Sequence, residues 1–264
     1  MRLDGKVVAI TGGAIGIGRA CAAAYAAAGA SVVVADINRG EGQAVVAAIE
    51  RAGGVATFVE ADVASSADCA GVVRTALDSY GQLDVMHPNA GIEHCKSIWD
   101  TTDDEWARVI AVNQGGVFYC CREAMRHMRE HGGGVITITA SPHAFATGRE
   151  IGAYASAKGG VVALMRAVAL EGGSAGIRAN AILPGAIQTS MMDREIAFSS
   201  DPQEQLEQFA AAAPLGRMGR SEDISPLAVF LASEGAAFIT GTCVAADGGL
   251  MAALNSGPIL SYID

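Results

Sequence analysis

The chain has few aromatic residues and few positive charges. Phe, Trp and Tyr make up 5% of its 264 residues, and 18 Lys and Arg stand against 28 Asp and Glu, for a formal net charge of −10. An acidic surface repels the phosphate backbone of DNA and RNA, so we expect no nucleic-acid partner.

The chain also has no uninterrupted apolar run of the roughly 18–20 residues that a membrane-crossing helix needs. Residues 1–6 lead directly into an apolar run, so we expect no signal peptide. The six cysteines, at positions 21, 69, 95, 120, 121 and 243, include no Cys-x-x-Cys spacing. We therefore expect a cytoplasmic protein without a membrane partner, whose reduced cysteines lie in the core.

What the chain does have is a regular alternation of strand-like and helix-like segments. Strand-like runs cover residues 7–10, 31–35, 55–60, 83–86, 135–139, 177–182 and 242–245. Helical segments between them include residues 17–28, 40–52, 103–131 and 152–172. The strands lack strict apolar–polar alternation, which is typical of a parallel sheet buried on both faces. We predict the α/β class, with a doubly wound parallel sheet, helices on both faces and three α/β/α layers.

No linker, repeat or low-complexity tract interrupts this alternation, so we predict one domain over residues 1–264. Two segments depart from it. Residues 184–214 form a long excursion with a predicted helix at 203–213, which we expect to act as a substrate loop or lid. Residues 250–264 form a tail, and its apolar part, 255–264, is expected to pack near a pocket or across a subunit interface.

Glycines follow the first predicted strand in the run Thr11-Gly-Gly-Ala-Ile-Gly-Ile-Gly18. Gly12, Gly16 and Gly18 lie where a strand turns into a helix, so the backbone can approach a pyrophosphate at the helix N-terminus. The spacing differs from Gly-x-Gly-x-x-Gly, but the order of strand, glycines, helix and second strand agrees with a dinucleotide site.

Asp36 ends the second predicted strand, 18 residues after Gly18. A carboxylate there can accept hydrogen bonds from the adenosine ribose hydroxyls and repel a 2′-phosphate. This favours NAD (NADH) over NADP. Arg39 keeps NADP open, since a nearby Arg can bind a 2′-phosphate.

Tyr154 and Lys158 are four residues apart in a predicted helix and therefore share one helix face. A nearby cation favours the phenolate and lowers the pKa of a tyrosine, which is about 10 in isolation. Such a tyrosine can act as a general acid or base. Alone, the pair cannot be distinguished from an ordinary helix surface, because such pairs are common.

Together these features resemble the short-chain dehydrogenase/reductase family, with its Rossmann-like fold, over roughly residues 3–250. The ordered markers include Thr11 to Gly18, Asp62-Val63, Pro88-Asn89-Ala90-Gly91, Asn113, Ser141, Tyr154, Lys158, Pro184-Gly185 and Thr189. The resemblance implies four catalytic residues: Asn113, Ser141, Tyr154 and Lys158. It implies these cofactor-binding residues: Gly12, Ile15, Gly16, Ile17, Gly18, Asp36, Asp62, Val63, Asn89, Ala90, Gly91, Tyr154, Lys158, Pro184, Gly185, Ile187 and Thr189.

The resemblance also implies a role for each catalytic residue. Tyr154 exchanges the proton of the alcohol, and Lys158 lowers the pKa of Tyr154 and binds the nicotinamide ribose. Ser141 hydrogen-bonds the substrate oxygen, and Asn113 holds a backbone carbonyl and a water for proton relay. Pro88 replaces the first Asn of the family's Asn-Asn-Ala-Gly element, so one side-chain hydrogen bond is lost, with little expected effect on activity.

The substrate is less well indicated. By resemblance the segments after Gly91 and Ser141 line the pocket, so Glu93 and His143, with Ser141, would suit a sugar or cyclic polyol. Met191 and its neighbour Met192 would instead form an apolar lid that suits a hydroxysteroid-like or aromatic alcohol. The sequence leaves both open.

A His-x-x-Glu-His pattern spans His127 to His131 and has a spacing that can bind zinc. Three glycines follow at once, which marks the last turn of a helix, where histidines interact well with the helix dipole. We therefore expect no metal.

The sequence predicts an NAD(H)-dependent oxidoreductase that interconverts a secondary alcohol and a ketone. An NADPH-dependent carbonyl reductase and a non-catalytic NAD-binding regulatory protein are the alternatives. By resemblance we expect a homotetramer, or a homodimer. The small-residue face of the Tyr154 helix, at Ala153, Ala157 and Gly160, would permit close packing of subunits.

Overall fold

A computed structural model describes residues 1–197 and 201–252. It contains one sheet of seven parallel strands in the order β3-β2-β1-β4-β5-β6-β7. The strands are β1 (Val7–Thr11), β2 (Ser31–Asp36), β3 (Val55–Glu60), β4 (Val85–His87), β5 (Gly134–Thr139), β6 (Ile177–Pro184) and β7 (Cys243–Ala246). The strand order reverses between β1 and β4, and a crevice opens at the carboxyl ends of the strands at such a point.

Helices cover both faces of this sheet, which confirms the predicted three-layer fold. They are α1 (Gly16–Ala27), α2 (Arg39–Arg51), α3 (Ser66–Tyr80), α4 (Asp103–Ile110), α5 (Gly116–Met128), α6 (Gly152–Gly172), α7 (Ser190–Ala197), α8 (Pro202–Ala212) and α9 (Ser221–Ala232). Residues of α3, α5 and α6 share one buried cluster with Val7 and Ala9 of β1. Residues of α1, α2 and α9 share the other with Val8 and Ile10. Neighbouring residues of β1 thus enter opposite cores, which explains its uninterrupted apolar sequence.

The segment predicted as one helix over 103–131 is interrupted. Between α4 and α5 lies a π-helical turn, Ala111–Gly115. A π turn inserts an extra residue into the helix and is frequent at functional sites. It contains Asn113, whose side chain bonds the backbone of Ile92 on a separate loop. Local sequence periodicity does not predict this contact, because the two segments are distant in the sequence.

The excursion after β6 contains two helices rather than one. α8 agrees within one residue with the helix predicted at 203–213, and it begins with Asp201 as N-cap and Pro202 in its first turn. α7 was not predicted. The residue that marks the start of this helix is Thr189, whose hydroxyl accepts a hydrogen bond from the backbone N–H of Met192 at 3.4 Å. After a short 3₁₀ turn, Leu250–Ala252, the tail segment 255–264 lies outside the described residues.

The segment Gly152–Ala175, which includes α6, is by length and composition apolar enough to cross a membrane. In this fold it packs against the sheet and contributes Val161, Val162 and Met165 to the core. Core helices of globular proteins commonly have this composition. The helix matters here because it carries Tyr154 and Lys158.

Candidate active site

The glycine turn joins β1 to α1 at the reversal point of the sheet. Gly12 and Gly16 have φ angles of 61° and 52°, a region that favours glycine. A Cβ at Gly18 would overlap the carbonyl oxygen of Gly12, so turn and helix require glycine there. Ile15 is the N-cap of α1 and makes no side-chain cap, and the first turn has no acidic residue. These uncapped N–H groups suit a pyrophosphate.

Asn89 holds this turn from the neighbouring strand. Its Nδ2 donates hydrogen bonds to the carbonyl oxygens of Thr11 and Gly12, each at 3.1 Å. The N–H groups of Asn89 and Ala90 donate to Thr11 Oγ1 at 3.1 and 3.3 Å. The element after β4 therefore supports the cofactor cradle. The adjoining Gly91 lies against Asn113, whose Oδ1 would be 2.6 Å from a Cβ there.

Asp36 lies at the end of β2, beside the turn. Its Oδ2 accepts a hydrogen bond from Ala14 N at 3.0 Å, and its Oδ1 accepts one from Asn38 N at 2.9 Å. Arg39 forms an ion pair with Glu60 across the end of β3, with Nη2 and Oε2 2.7 Å apart. The guanidinium that could bind a 2′-phosphate is therefore engaged by a carboxylate.

The remaining predicted cofactor residues lie at the edges of the same crevice. Asp62 Oδ1 accepts a hydrogen bond from Ala64 N at 2.9 Å, and Val63 is buried against Gly116. Pro184 ends β6. The loop after it brings Thr189 towards the glycine turn, since its Cγ2 would be 3.1 Å from a Cβ at Gly16.

The loop between these two residues is itself anchored. Gly185 packs against the backbone of Asp247, which leaves no room for a side chain. Ile187 is buried and forms an isolated parallel bridge with Gly219. The loop that follows β6 is therefore fixed on its outer side, and its inner side adjoins the crevice. Ile17 of α1 packs on the core below.

Tyr154 and Lys158 lie near the start of α6, as the i, i+4 spacing predicts. Lys158 is 3% exposed, and its Nζ donates a hydrogen bond to the carbonyl oxygen of Thr139 at 3.0 Å. The same Nζ lies 5.5 Å from the centroid of the Tyr154 ring. Ser141 lowers the pKa of Tyr154, and the His143 ring lies edge-on to Tyr154 at 6.0 Å. The structure thus brings Ser141, Tyr154 and Lys158 together, and Lys158 Nζ and Asn113 Oδ1 both lie within 4 Å of a Cβ placed at Gly91.

Burial controls the ionisation of this pair. It raises the pKa of Tyr154 to about 12, while the hydrogen bond from Ser141 acts in the opposite direction. Burial also lowers the pKa of Lys158 to about 8. Within the protein itself, desolvation therefore outweighs the expected lowering of the Tyr154 pKa by Lys158. The prediction of a lowered Tyr154 pKa rested on the spacing of the two groups and took no account of their desolvation.

Asn113 is fully buried in the π turn. Its Nδ2 donates to the carbonyl oxygen of Ile92 at 2.9 Å, and its Oδ1 accepts from Ile92 N at 3.0 Å. The side chain thus holds a backbone carbonyl, which is the contact that the resemblance implied. It also fixes the start of the loop that carries Glu93.

The pocket beside Tyr154 has acidic and thiol groups. The charges of Glu93 and Cys95 both raise the pKa of Tyr154. His94 turns away, and its Nε2 lies 3.3 Å from Thr101 Oγ1. Met191 belongs to α7, and its side chain lies outside what the structure describes. The sequence analysis placed Cys95 in the core with the other cysteines, and this was wrong, because Cys95 is exposed in the loop that carries Glu93.

The His-x-x-Glu-His pattern lies at the end of α5, away from the crevice. The rings of His127 and His131 stack at 4.0 Å, and His131 Nδ1 lies 2.8 Å from the carbonyl oxygen of His127. Among the described residues, no group of three or more His, Cys, Asp or Glu side chains has an arrangement that could hold a metal ion.

A glycine turn at an uncapped helix N-terminus thus meets Tyr154 and the buried Lys158 at the reversal point of a doubly wound sheet. Fold and site together define the class of nicotinamide-dependent oxidoreductases. A family model described as enoyl-(acyl carrier protein) reductase matches residues 12–251.

Known proteins similar to this chain agree with that class. L-rhamnose 1-dehydrogenase (NAD(P)(+)) of a Sphingomonas species is 37% identical over 251 residues, covering 94% of this chain and 97% of the relative. 3beta-hydroxysteroid dehydrogenase 1 of Eggerthella lenta is 38% identical over 250 residues, with 94% of each chain covered. The crystal structure of levodione reductase superposes with a TM-score of 0.93 at 34% identity, covering 96% of this chain and 100% of that one.

The chain belongs to the short-chain dehydrogenase/reductase family. It is an oxidoreductase of the alcohol dehydrogenase and ketone reductase type, and it uses a nicotinamide cofactor, NAD or NADP.

Proposed function

We propose that this protein is an NAD(H)-dependent oxidoreductase that interconverts a secondary alcohol and a ketone, with Tyr154 as the general acid/base. The observation that carries the proposal is the buried Lys158 ammonium, which donates a hydrogen bond to the Thr139 carbonyl and lies 5.5 Å from the centroid of the Tyr154 ring. Burying a lysine is costly, and groups with strongly perturbed pKa values cluster at functional sites.

The chemistry follows from these contacts. A nicotinamide cofactor held at the glycine turn would supply the hydride acceptor, and its oxidised ring would add a positive charge to the site. In alcohol oxidation Tyr154 accepts the hydroxyl proton of the substrate, and in ketone reduction it donates a proton to the carbonyl oxygen. Ser141 donates a hydrogen bond to the same oxygen as charge develops on it. Lys158 and Asn113, through the Ile92 carbonyl, supply a route for the proton to solvent.

Support for NAD comes from the acidic surroundings of Arg39. Asp36 lies beside the glycine turn, and Glu60 already pairs with Arg39. Two carboxylates at this edge repel a 2′-phosphate, and the arginine must leave an ion pair before it can bind one. NADP-dependent carbonyl reduction is the alternative that this arrangement disfavours.

Support for a polar substrate comes from Glu93 and His143. Glu93 is close enough to influence the ionisation of Tyr154, and the His143 ring contacts Tyr154 edge-on. A carboxylate at the pocket wall is well matched to a molecule with several hydroxyl groups and poorly matched to an apolar one. We therefore propose a sugar or cyclic polyol, and a hydroxysteroid-like alcohol is the competing substrate class.

The experiment is a substrate panel of sugars, cyclic diols, hydroxysteroids and hydroxyacyl thioesters, each with NAD and NADP, followed at the absorbance of the reduced nicotinamide. Tyr154→Phe should lower kcat by at least about 100-fold, the usual contribution of a general acid/base. NADH binding should persist in this variant. Tyr80→Phe, at the end of α3, is the matched control and should keep wild-type activity.

Near-wild-type turnover by Tyr154→Phe would refute the mechanism. NADH binding by the wild type without turnover of any panel member would favour a non-catalytic NAD-binding regulatory protein. Turnover with NADP alone would show the cofactor proposal to be wrong, and a preference for hydroxysteroids would do the same for the substrate class.

We also propose a cytoplasmic homotetramer without a membrane partner. The small-residue face of α6 does not provide its interface, because Ala153 and Ala157 pack on Val109 within the chain and Gly160 lies against Gln114. That interpretation of the sequence was wrong. A different surface is open for a second copy: a groove between α5 and α6 whose lining includes Phe118, Arg122, Arg126, Leu164 and Glu171.

A further inference from the structure

A line of buried polar side chains runs from α1 through the sheet towards the glycine turn. Tyr25 and His87 are fully buried, and their rings meet edge-on at 5.9 Å. The Tyr25 hydroxyl lies 3.0 Å from His87 Nδ1, and His87 Nε2 lies 2.9 Å from Thr139 Oγ1. Buried polar groups are expensive unless they are hydrogen-bonded, so this arrangement requires an explanation.

The line continues to the cofactor cradle. Thr139 Oγ1 donates a hydrogen bond to Asn89 Oδ1 at 2.9 Å. Asn89 Nδ2 donates to the carbonyl oxygens of Thr11 and Gly12, each at 3.1 Å. Tyr25, His87, Thr139 and Asn89 thus form one polar chain, which we call the α1–glycine-turn relay.

The direction of every hydrogen bond in the relay is determined by its last step. The carbonyls of Thr11 and Gly12 accept only, so the Asn89 amide nitrogen must face them and Oδ1 must face Thr139. The Thr139 hydroxyl donates its single proton to Asn89 Oδ1, so its oxygen must accept a hydrogen bond from His87. His87 must then carry its proton on Nε2, and its bare Nδ1 accepts from the Tyr25 hydroxyl.

Thr139 also connects this relay to the catalytic pair. Its side chain supports Asn89, while its backbone carbonyl accepts the hydrogen bond from Lys158 Nζ at 3.0 Å. Burial lowers the pKa of His87 to about 3, so the imidazole stays neutral and keeps the required proton pattern at working pH. One strand end therefore sets both the position of the lysine and the position of the glycine turn.

We propose that His87 is a positioning residue, which acts through Thr139 and Asn89 to hold the pyrophosphate-binding glycine turn at a fixed place relative to Lys158. The proposal rests on the proposed cofactor-dependent function and deepens it. His87 touches neither the cofactor cradle nor the reacting atoms. Its effect should therefore appear in cofactor affinity more than in the chemical step.

The first experiment compares two threonines of β5. Thr139→Val removes the relay hydroxyl but keeps the side-chain shape and the backbone carbonyl for Lys158. Thr137→Val is the matched control, because Thr137 is also buried in β5 and its Oγ1 has no hydrogen-bond partner among the described residues. We expect Thr139→Val to raise the Kd for NADH, measured by fluorescence titration, by roughly tenfold. We expect Thr137→Val to leave it unchanged.

The second experiment tests His87 itself. The His87→Gln variant keeps a hydrogen-bond donor near the position of Nε2, so its Kd for NADH should stay within about threefold of the wild-type value. The His87→Leu variant has no such donor, and its Kd for NADH should rise roughly tenfold or more. Hydrogen exchange of residues 11–18 should be faster in His87→Leu and in Thr139→Val. Equal NADH affinity and equal exchange in Thr139→Val, Thr137→Val and the wild type would overturn the proposal.

A third measurement needs no variant and therefore cannot fail through misfolding. Nitrogen NMR of the wild-type protein should find the His87 proton on Nε2, with no titration between about pH 5 and pH 8. A proton on Nδ1 would overturn the relay. If the wild type binds no nicotinamide cofactor, the proposed function fails, while NMR and hydrogen exchange still decide whether the relay holds the glycine turn.

Discussion

Lys158 carries its charge at a position where burial opposes it. Its pKa is lowered from 10.5 to about 8 in the folded protein. Between these values the unfolded chain binds more protons than the folded one, so stability rises with pH across that window. Below about pH 8 the full penalty applies, and it disappears above about pH 10.5. The lysine therefore reduces stability at neutral pH, and its retention is consistent with a role in the reaction.

The Lys158→Met variant should reveal the stability cost of burying the Lys158 charge. We expect the free energy of unfolding at pH 7 to increase by about 2–3 kcal/mol, since one pKa unit corresponds to about 1.4 kcal/mol and one hydrogen bond is lost. The gain should shrink as pH rises from about 8 to 10, and turnover should be abolished. Denaturant titrations at several pH values measure it. A destabilised Lys158→Met at pH 7 would contradict the argument.

A second residue-scale prediction concerns cofactor choice. The double change Asp36→Asn with Glu60→Gln removes both carboxylates and frees Arg39 without altering side-chain size. We expect kcat/KM with NADP to rise by at least about tenfold, and that with NAD to fall, because a charged guanidinium then faces the 2′-phosphate. Steady-state kinetics with both cofactors measure the change. Glu60→Gln alone should shift the ratio much less. An unchanged ratio in the double variant would show that Arg39 does not reach the ribose.

At the scale of elements, the junction of β1 and α1 tolerates no side chain at Gly18, where a Cβ would overlap the Gly12 carbonyl. Gly18→Ala should therefore displace the turn and weaken NADH binding by more than about tenfold, measured by fluorescence titration. Gly71→Ala is the matched control. Gly71 lies within α3 with nothing within 4 Å of its Cβ position, so it should stabilise the protein by about 0.5–1 kcal/mol. Wild-type binding by Gly18→Ala would contradict this reading of the turn.

The π turn is the second element on which the site depends. It places Asn113 against Ile92, and Gly116 directly after it packs on Val63 without room for a Cβ. One local irregularity thus orients a polar side chain inward and lets α5 approach the loop after β3. A regular α-helix over the same residues would rotate Asn113 away from Ile92, because each added residue turns the helix by about 100°.

At the scale of the whole molecule, the groove between α5 and α6 is the surface proposed for a second copy. Phe118 is 43% exposed there, and Arg122 lies over its ring at 5.3 Å. Arginines on α5 and Glu171 on α6 line the same groove, so two copies related by a two-fold axis can pair opposite charges. Apolar surface rimmed by charge is characteristic of interfaces.

Phe118→Glu should therefore shift the protein towards smaller species, because it buries a charge in the apolar part of the proposed contact. Sedimentation velocity at several concentrations measures the change. Val55→Glu is the control, since Val55 is 52% exposed but lies on the edge strand β3, away from the groove. A Phe118→Glu protein with the wild-type sedimentation coefficient would exclude this groove as the subunit contact.

The sequence by itself determined the features that depend on local chemistry. Alternating apolar runs and Ala-rich helices predicted the doubly wound sheet, because secondary structure follows short-range periodicity. The glycine turn was readable because only glycine fits at Gly12 and Gly18. The Tyr154–Lys158 pair was readable because positions i and i+4 share a helix face.

Only the tertiary structure decided what happens between distant segments. His87 contacts Tyr25 and Thr139, which are 62 and 52 residues away in the sequence, and no local sequence pattern predicts either contact. The π turn contains Asn113, whose partner Ile92 lies 21 residues away on a separate loop. The pKa values of Tyr154 and Lys158 are set by burial, which depends on everything packed around them. Periodicity specifies elements, but desolvation and buried polar partners exist only once those elements are assembled.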